Sequence, residues 1–380
     1  MKIGILTLVP YDNYGGILQG YALQTVLERM GHDVTIIRTK LYNWIPFKIK
    51  VKRLIRWFLL RYILRRDEVS SIIPGTYLDY RVKRIKPFID RHIHFTREFS
   101  STTDLYNFQE KENYDCFIVG SDQTWRPCLS PDLYHMFCDF LPKDSNKTRI
   151  AYAASFGVDN NEFNDIQLAK CRSLIGRFKS VSVRELSGVD LCRELFGVKA
   201  KHVLDPTMLL NKEDYMSLIK DYNPINKNID LMQYVFFFNN EENEVIAKTS
   251  ELLGCSPVNL MTKYFLHQVT DKSMLPDAQF LPVEEWIYGY SKAKFVLTDS
   301  FHGTVFCIIF NVPFLCVSPV AIARFKSLLS VYGLEDRLIM HASEVTEDLL
   351  AKPIDWVKVN EKRKELIKDS LEFLQKSLSK

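Results

Sequence analysis

An α/β protein of two doubly wound, Rossmann-like domains facing one cleft is what this sequence predicts, on three observations. Short β-rich runs alternate with stretches of helical spacing along most of the chain. The alternation stops over a polar stretch, residues 211–228, and then starts again. The 380 residues also exceed what one core usually organises, since domains hold roughly 100–200 residues.

Lys2–Val9 reads as a strand, followed by the loop Pro10-Tyr11-Asp12-Asn13-Tyr14-Gly15-Gly16. Ile17–Met30 places Leu18, Ala22, Val26 and Leu27 on one side and stops at Gly31, so it is a helix. Val34–Arg38 is the next strand, completing a βαβ unit, which makes its strands parallel. Further strands are expected at Asp115–Val119, Arg149–Ser155, Ser180–Arg184 and His202–Leu204, with helices over Asn161–Phe178 and Ser187–Phe196. In the second half, strands at Leu231–Phe238, Val258–Met261, Phe295–Thr298 and Pro313–Val317 alternate with helices at Glu242–Leu253, Val283–Ser291, His302–Phe310 and Ala323–Tyr332. A charged helix, Asp355–Leu378, follows.

The expected organisation is therefore a first domain over residues 1–210, a linker over 211–228 centred on Pro224, a second domain over 229–345 and a final helix over 346–380. Ligands in doubly wound sheets bind at the carboxyl ends of the strands. Two such domains give one shared cleft, the glycosyltransferase-B type of architecture. By analogy with it, the final helix is expected to pack back on the first domain.

Composition excludes several classes. Fifty basic against 46 acidic residues does not describe a nucleic-acid binder. The eight cysteines form no CxxC pair, so neither a zinc ribbon nor a redox motif is written here. They read as small core residues of a protein in a reducing compartment. The first apolar run is too short for a secretory signal, and no window approaches the ~18 apolar residues of a spanning helix. A cytoplasmic location is expected. No histidine–carboxylate cluster has metal-ligand spacing, so neither a metal nor a bound cofactor is expected.

The candidate site residues lie at strand ends. "LTDSFHGTVFCIIF" (297–310) runs from a strand into a helix. The first turn of that helix leaves N–H groups unpaired at its positive end, where an anion can sit. Ser300 and Thr304 offer hydroxyls there, Gly303 permits close approach, and His302 can donate to an anion or move a proton. A simple Ser300 cap with a space-filling histidine is the plainer alternative. In the first domain, Asn13, Gly15 and Gly16 form the matching loop, and Gln19 lies one turn into the helix. This is not GxGxxG, so the dinucleotide fingerprint is absent. "VGSDQTWRP" gathers Ser121, Asp122, Gln123, Trp125 and Arg126 after a strand, suited to a sugar face or, equally, to a structural corner around a buried Trp. Arg184 ends another strand, where it could grip a carboxylate or phosphate or pair with Glu185. "LDPT" (204–207) reads as a structural turn at the domain edge.

Taken in order, Gly15 to Leu23, GSDQ-x-W, A-x-S-F-G, S-V-R-E, L-D-P-T and S-F-H-G-T resemble the polysaccharide pyruvyl transferase family, over about Lys2 to Arg337. The resemblance implies a glycosyltransferase-B-like fold. It also implies transfer of the enolpyruvyl carbons of phosphoenolpyruvate, as co-substrate, onto sugar hydroxyls, giving a pyruvate ketal on cell-surface polysaccharide. The family's second-domain histidine falls on His302 and its first-domain strand-end arginine on Arg184. Many members carry Arg-Leu-His where this chain has Ser300-Phe301-His302. The missing arginine would hold donor carboxylate or phosphate, and Arg324 is the candidate to supply that charge. Ser300, Gly303, Thr304 and Arg324 are then the donor side. Asn13, Gly15, Gly16, Gln19, Ser121, Asp122, Gln123, Trp125 and Arg126 are the acceptor side.

Residues 41–66 carry eight Lys or Arg and no acid, interleaved with aromatic and aliphatic residues. Peripheral contact with an anionic membrane is expected there, fitting a glycan or lipid-linked oligosaccharide acceptor at the inner face of the membrane. The cations do not read as one clean helical face, and a packed helix with basic flanks is the alternative. Two other functions stay open: a nucleotide-sugar glycosyltransferase, with Asp299 or Glu284 holding a ribose, and a non-catalytic glycan-binding relative.

Overall fold

The computed structural model describes residues 1–8, 11–39, 47–65, 78–99, 101–130, 133–236, 240–264, 269, 271–317 and 322–379. Seven strands form the first sheet: β1 (Lys2–Leu6), β2 (Asp33–Thr39), β3 (Phe95–Phe99), β4 (Cys116–Val119), β5 (Thr148–Ala154), β6 (Ser180–Val183) and β7 (Lys201–His202). Their order is β3-β2-β1-β4-β5-β6-β7. Five strands form the second: β8 (Leu231–Tyr234), β9 (Pro257–Asn259), β10 (Phe295–Thr298), β11 (Phe314–Val317) and β12 (Leu338–Ile339), in the order β12-β11-β10-β8-β9. Every pairing among the described residues is parallel. The central strands are buried on both faces, as Ile3, Ile5, Phe117, Ile118, Val296 and Leu297 show. That is why they read as apolar runs rather than alternating ones.

The strand order reverses at β1/β4 in the first sheet and at β8/β10 in the second. Reversal splays the loops apart and leaves a crevice at the carboxyl ends of those strands. The loop after β1 leads into the Tyr14–Arg29 helix, and the loop after β10 leads into the Phe301–Phe310 helix.

Two expectations about organisation need correction. Residues 211–228 are not an irregular linker. They contain the Lys212–Leu218 helix, opened by a capping box in which Asn211 and Asp214 bond each other's backbone. Tyr215 is buried and donates to the Thr207 carbonyl at 2.8 Å. Its ring lies 4.8 Å from that of Phe306. Only the stretch after this helix, around Pro224, is irregular. The sequence reading also passed over β3 and the Thr102–Glu112 helix. β3 is an edge strand with Arg97 and Glu98 exposed, so its apolar signal is weak.

The Trp356–Leu378 helix does return to the first domain. Arg363 donates to the Met208 and Leu210 carbonyls, Lys201 pairs with Asp369, and the Ser370 hydroxyl accepts from Leu204 N–H at 3.0 Å. Six of the eight cysteines are buried; Cys255 is half-buried and Cys128 exposed. No helix among the described residues is long and apolar enough to cross a membrane.

Candidate active site

Aromatic packing docks the two domains beside the first loop. Tyr14 stacks on Trp286 at 5.5 Å and 21°, meets Phe280 edge-on at 5.6 Å, and donates to the Leu281 carbonyl at 2.8 Å. Asn13 caps the helix that Tyr14 opens, its carbonyl oxygen accepting from Gly15 N–H at 3.0 Å and Gly16 N–H at 3.3 Å. With its neighbour fixed in the interface, Gly15 lies directly against His302. A Cβ on Gly15 would fall 2.1 Å from His302 Nδ1 and 2.3 Å from Cγ. The glycine is there because an imidazole occupies the place of its side chain.

His302 sits in the first turn of the Phe301–Phe310 helix and is 6% exposed. Its Nε2 is 3.5 Å from Asp205 Oδ2 and completes no hydrogen bond among the described residues. Asp205 comes from the first domain and is the centre of a buried polar network. Its Oδ2 accepts from Ser121 Oγ at 2.8 Å and Arg184 Nη1 at 3.1 Å. Its Oδ1 accepts from Thr207 N–H at 2.9 Å and the Thr207 hydroxyl at 2.5 Å. Burial alone would raise the Asp205 carboxyl pKa. His302, Arg184 and the Thr207 hydroxyl outweigh it and hold the group well below the usual carboxylate range. The carboxylate is thus ionised beside the imidazole.

Arg184 is 4% exposed and committed on two sides: Nε donates to Glu185 Oε1 at 3.0 Å and Nη1 to Asp205. Its guanidinium carbon lies 4.1 Å from the centre of the Phe301 ring, so the second domain covers it. Burial works against its charge, but Glu185, Asp205 and Asp122 keep it firmly protonated. Glu185 is held in turn by the Ser155 hydroxyl at 2.8 Å. The strand-end arginine is therefore the inner cation of a fixed network, with only Nη2 free of hydrogen bonds among the described residues.

Arg324, in the Ile322–Tyr332 helix, is the contrasting case. Its Nε is buried with no hydrogen-bond partner. Burial lowers its pKa, and so does repulsion from Arg184 and, less, from Arg126; Glu185 and Asp122 oppose this only in part. Arg324 and Arg184 are thus close enough to repel each other. Arg126 belongs to the same field but is occupied, forming a two-pronged pair with Glu162 at 2.9 and 3.0 Å and donating to Gln123 Oε1 at 3.0 Å.

Other candidates are placed differently. Trp125 is a core residue: it is 0% exposed, stacks on Phe137 at 5.3 Å, and donates to the Met136 carbonyl at 3.0 Å. It offers no face to a sugar. Gln19 is also fully buried, its amide nitrogen donating to the Thr7 hydroxyl and the Gly16 carbonyl. The Thr304 hydroxyl donates back to the Ser300 carbonyl at 3.1 Å, and Ser300 Oγ caps Gly303 N–H at 3.3 Å. A Cβ on Gly303 would lie 2.2 Å from Thr298 Oγ1, so internal packing demands that glycine. The plainer reading of Ser300, Gly303 and Thr304 accounts for these contacts, which build the turn that presents His302. Asp122 stays at the crevice: its φ is +75°, its backbone carbonyl accepts from Thr124 and Ser155, and its Oδ2 lies 3.6 Å from a Cβ built on Gly16. A non-glycine residue in that conformation is uncommon and gathers at functional sites. Asp205 was missed, because Asp before Pro is an ordinary turn signal. Its position at a strand end was the available clue.

A wider opening of about 550 Å³ lies between the domains, lined by Leu186, Ser187, Ala323, Lys326 and Met340 among others. Among the described residues no group of three His, Cys, Asp or Glu side chains could hold a metal. Asp299 accepts the Phe236 N–H with both oxygens at 2.8 Å, and Glu284 pairs with Arg91 at 2.7 Å, so both acids considered for a ribose are engaged.

The family model for polysaccharide pyruvyl transferase matches residues 13–319. In shape the chain is similar to UDP-GlcNAc 2-epimerase from Neisseria meningitidis, solved bound to UDP-GlcNAc, with a TM-score of 0.52, 10% identity, and 100% of this chain and 99% of that one covered. It is also similar to S. aureus MnaA, in a co-structure with UDP, with a TM-score of 0.51, 12% identity, and 99% and 91% covered. At such identities the likeness is one of fold, the glycosyltransferase-B type. No curated protein matches the sequence.

Proposed function

Since the chain belongs to the polysaccharide pyruvyl transferase family, we propose that it transfers the enolpyruvyl group of phosphoenolpyruvate to two hydroxyls of a glycan or lipid-linked oligosaccharide. The observation that carries this reading is Arg324, a cation with a buried, unpartnered Nε beside a second arginine at a helix N-terminus. Phosphoenolpyruvate, with phosphate and carboxylate on adjacent atoms, is an anion that would relieve that repulsion. Arg324 and Arg184 Nη2 would bind it.

The chemistry then falls to His302. In its protonated form it gives a proton to the methylene carbon, and C2 becomes electrophilic. The first sugar hydroxyl adds to C2 and returns its proton to His302. Phosphate leaves with its bonding electrons, and the second hydroxyl adds to the resulting cation. Its proton accompanies the phosphate, so one hydroxyl proton ends in the new methyl group and the other on phosphate. Nδ1, the ring nitrogen away from Asp205, would exchange the protons. General acid–base work of this kind contributes about 100- to 10,000-fold. The acceptor would approach over Asn13, Gly15, Gly16 and Asp122.

Incubation with phosphoenolpyruvate and a panel of glycosides, read by mass spectrometry and phosphate release, tests the reading. A glycoside gaining one pyruvate ketal with release of one phosphate is expected. Stabilisation by UDP-sugars alone, with phosphoenolpyruvate unconsumed across the panel, would move the chain to nucleotide-sugar transfer. Glycan binding without response to either donor would make it a non-catalytic relative.

A further inference from the structure

Seven of the fourteen large apolar side chains exposed among the described residues lie between Leu54 and Leu64. They belong to one segment, the Phe47–Phe58 helix and the π-helical turn Leu59–Ile63 that extends it. At 3.6 residues per turn Leu54, Ile55 and Phe58 share a face, and Tyr62 follows one turn on. Each is between 44% and 53% exposed. Arg56 falls on the other side of the helix and is also exposed. The helical register thus separates an apolar face that the linear reading had blurred. Residues 41–66 carry eight cations and no acid, in a chain otherwise near charge balance.

We propose that this segment docks the protein on an anionic membrane leaflet, the apolar face entering the headgroup boundary and the cations meeting lipid phosphates. A helix with an exposed apolar face and basic flanks lies in the plane of such an interface, held by buried apolar area and by charge. The charge selects this occupant over a second copy of the chain. A two-fold dimer through the patch would set two segments of eight cations and no acid side by side. Position also fits. The helix starts eight residues after the carboxyl end of β2, next to β1, whose carboxyl end leads to Gly15. A lipid-carried acceptor would meet the protein there. The docking itself does not depend on the donor chemistry.

The test is co-sedimentation of the full-length protein with vesicles of phosphatidylcholine, alone or mixed with phosphatidylglycerol. Binding to the mixed vesicles at low salt, lost at high salt, is expected. Replacing Arg53, Arg56 and Arg61 by Gln should lower partitioning by about fivefold per cation, roughly a hundredfold in all. Phe58→Asp should release the protein while its thermal unfolding stays unchanged, since that side chain is 51% exposed. Wild type remaining in the supernatant with the mixed vesicles at low salt overturns the proposal. So does equal binding to phosphatidylcholine alone, or a dimer in sedimentation velocity that Phe58→Asp dissolves. None of these readouts requires turnover, so they stand apart from the success or failure of the transferase reading.

Discussion

Replacing Gly15 by Ala should place a methyl group 2.1 Å from His302 Nδ1, 2.3 Å from Cγ and 2.7 Å from Cβ, where ordinary contact begins at 3.4 Å. Either the loop or the imidazole must move by more than 1 Å. The loop is held by Tyr14 on Trp286 and by the Asn13 cap, and the imidazole by its helix and Asp205. Overpacking of this kind costs about 1–3 kcal/mol of stability. A displacement near 1 Å at a reacting group costs about 100-fold in rate. The cleanest assay is a double-mutant cycle in urea unfolding. In the His302→Ala background the two shortest overlaps vanish and only the Cβ contact remains. The cost of Gly15→Ala should then shrink, giving a coupling of about 1–2 kcal/mol. Strictly additive costs would show that the glycine and the histidine do not share this space, and the description of the site would fail with them.

His302→Ala alone should keep the fold and lower turnover by about 100-fold or more; near-normal phosphate release from the folded variant would remove it from the chemistry. The two arginines should separate. Arg324→Gln should leave unfolding little changed and weaken phosphoenolpyruvate by about 1.5–3 kcal/mol in titration calorimetry. Arg184→Ala should destabilise by about 3–5 kcal/mol, because it strands Glu185 and Asp205. The reverse pattern would exchange their roles. Asp205 contributes stability that is present above the unfolded carboxyl pKa of about 3.9 and lost as pH falls towards its depressed folded value. Asp205→Asn should therefore be less stable at pH 7 and lose less between pH 4 and pH 3, measured by urea midpoints; parallel curves for the two proteins would contradict the depressed carboxyl.

The fold was legible because buried parallel strands leave apolar runs at regular intervals, and β10 was read to the residue. Edges were harder to see. β12 has two residues and β3 is half exposed, so neither makes a run. At the site, the chain announced what lies at strand ends, His302 and Arg184, but not which partners would meet them. Asp205 and His302 are 97 positions apart in sequence and touch only because two domains dock. Trp125 shows the opposite error: flanking polar residues suggested a ligand face, while Phe137 and Phe196 from other elements close around the ring. The resemblance pointed to the missing arginine before Phe301, and the structure brings Arg324 from a different helix to the neighbourhood of Arg184.

The chain passes between the domains twice, once before β8 and again ahead of the Trp356–Leu378 helix, which lies on Leu204, Met208 and Leu210. A body pinned at two points keeps a single rotation, about the line through them. Two such crossings would favour a swing about the line through them over a slide. A swing moves each contact in proportion to its distance from that axis. Gly15, Asp205 and Arg184 on one half face His302 and Phe301 on the other, so one angle sets all their separations together. The contact of His302 with Asp205 and the covering of Arg184 would rise and fall as one event, and a substitution at either crossing would change both without touching the site.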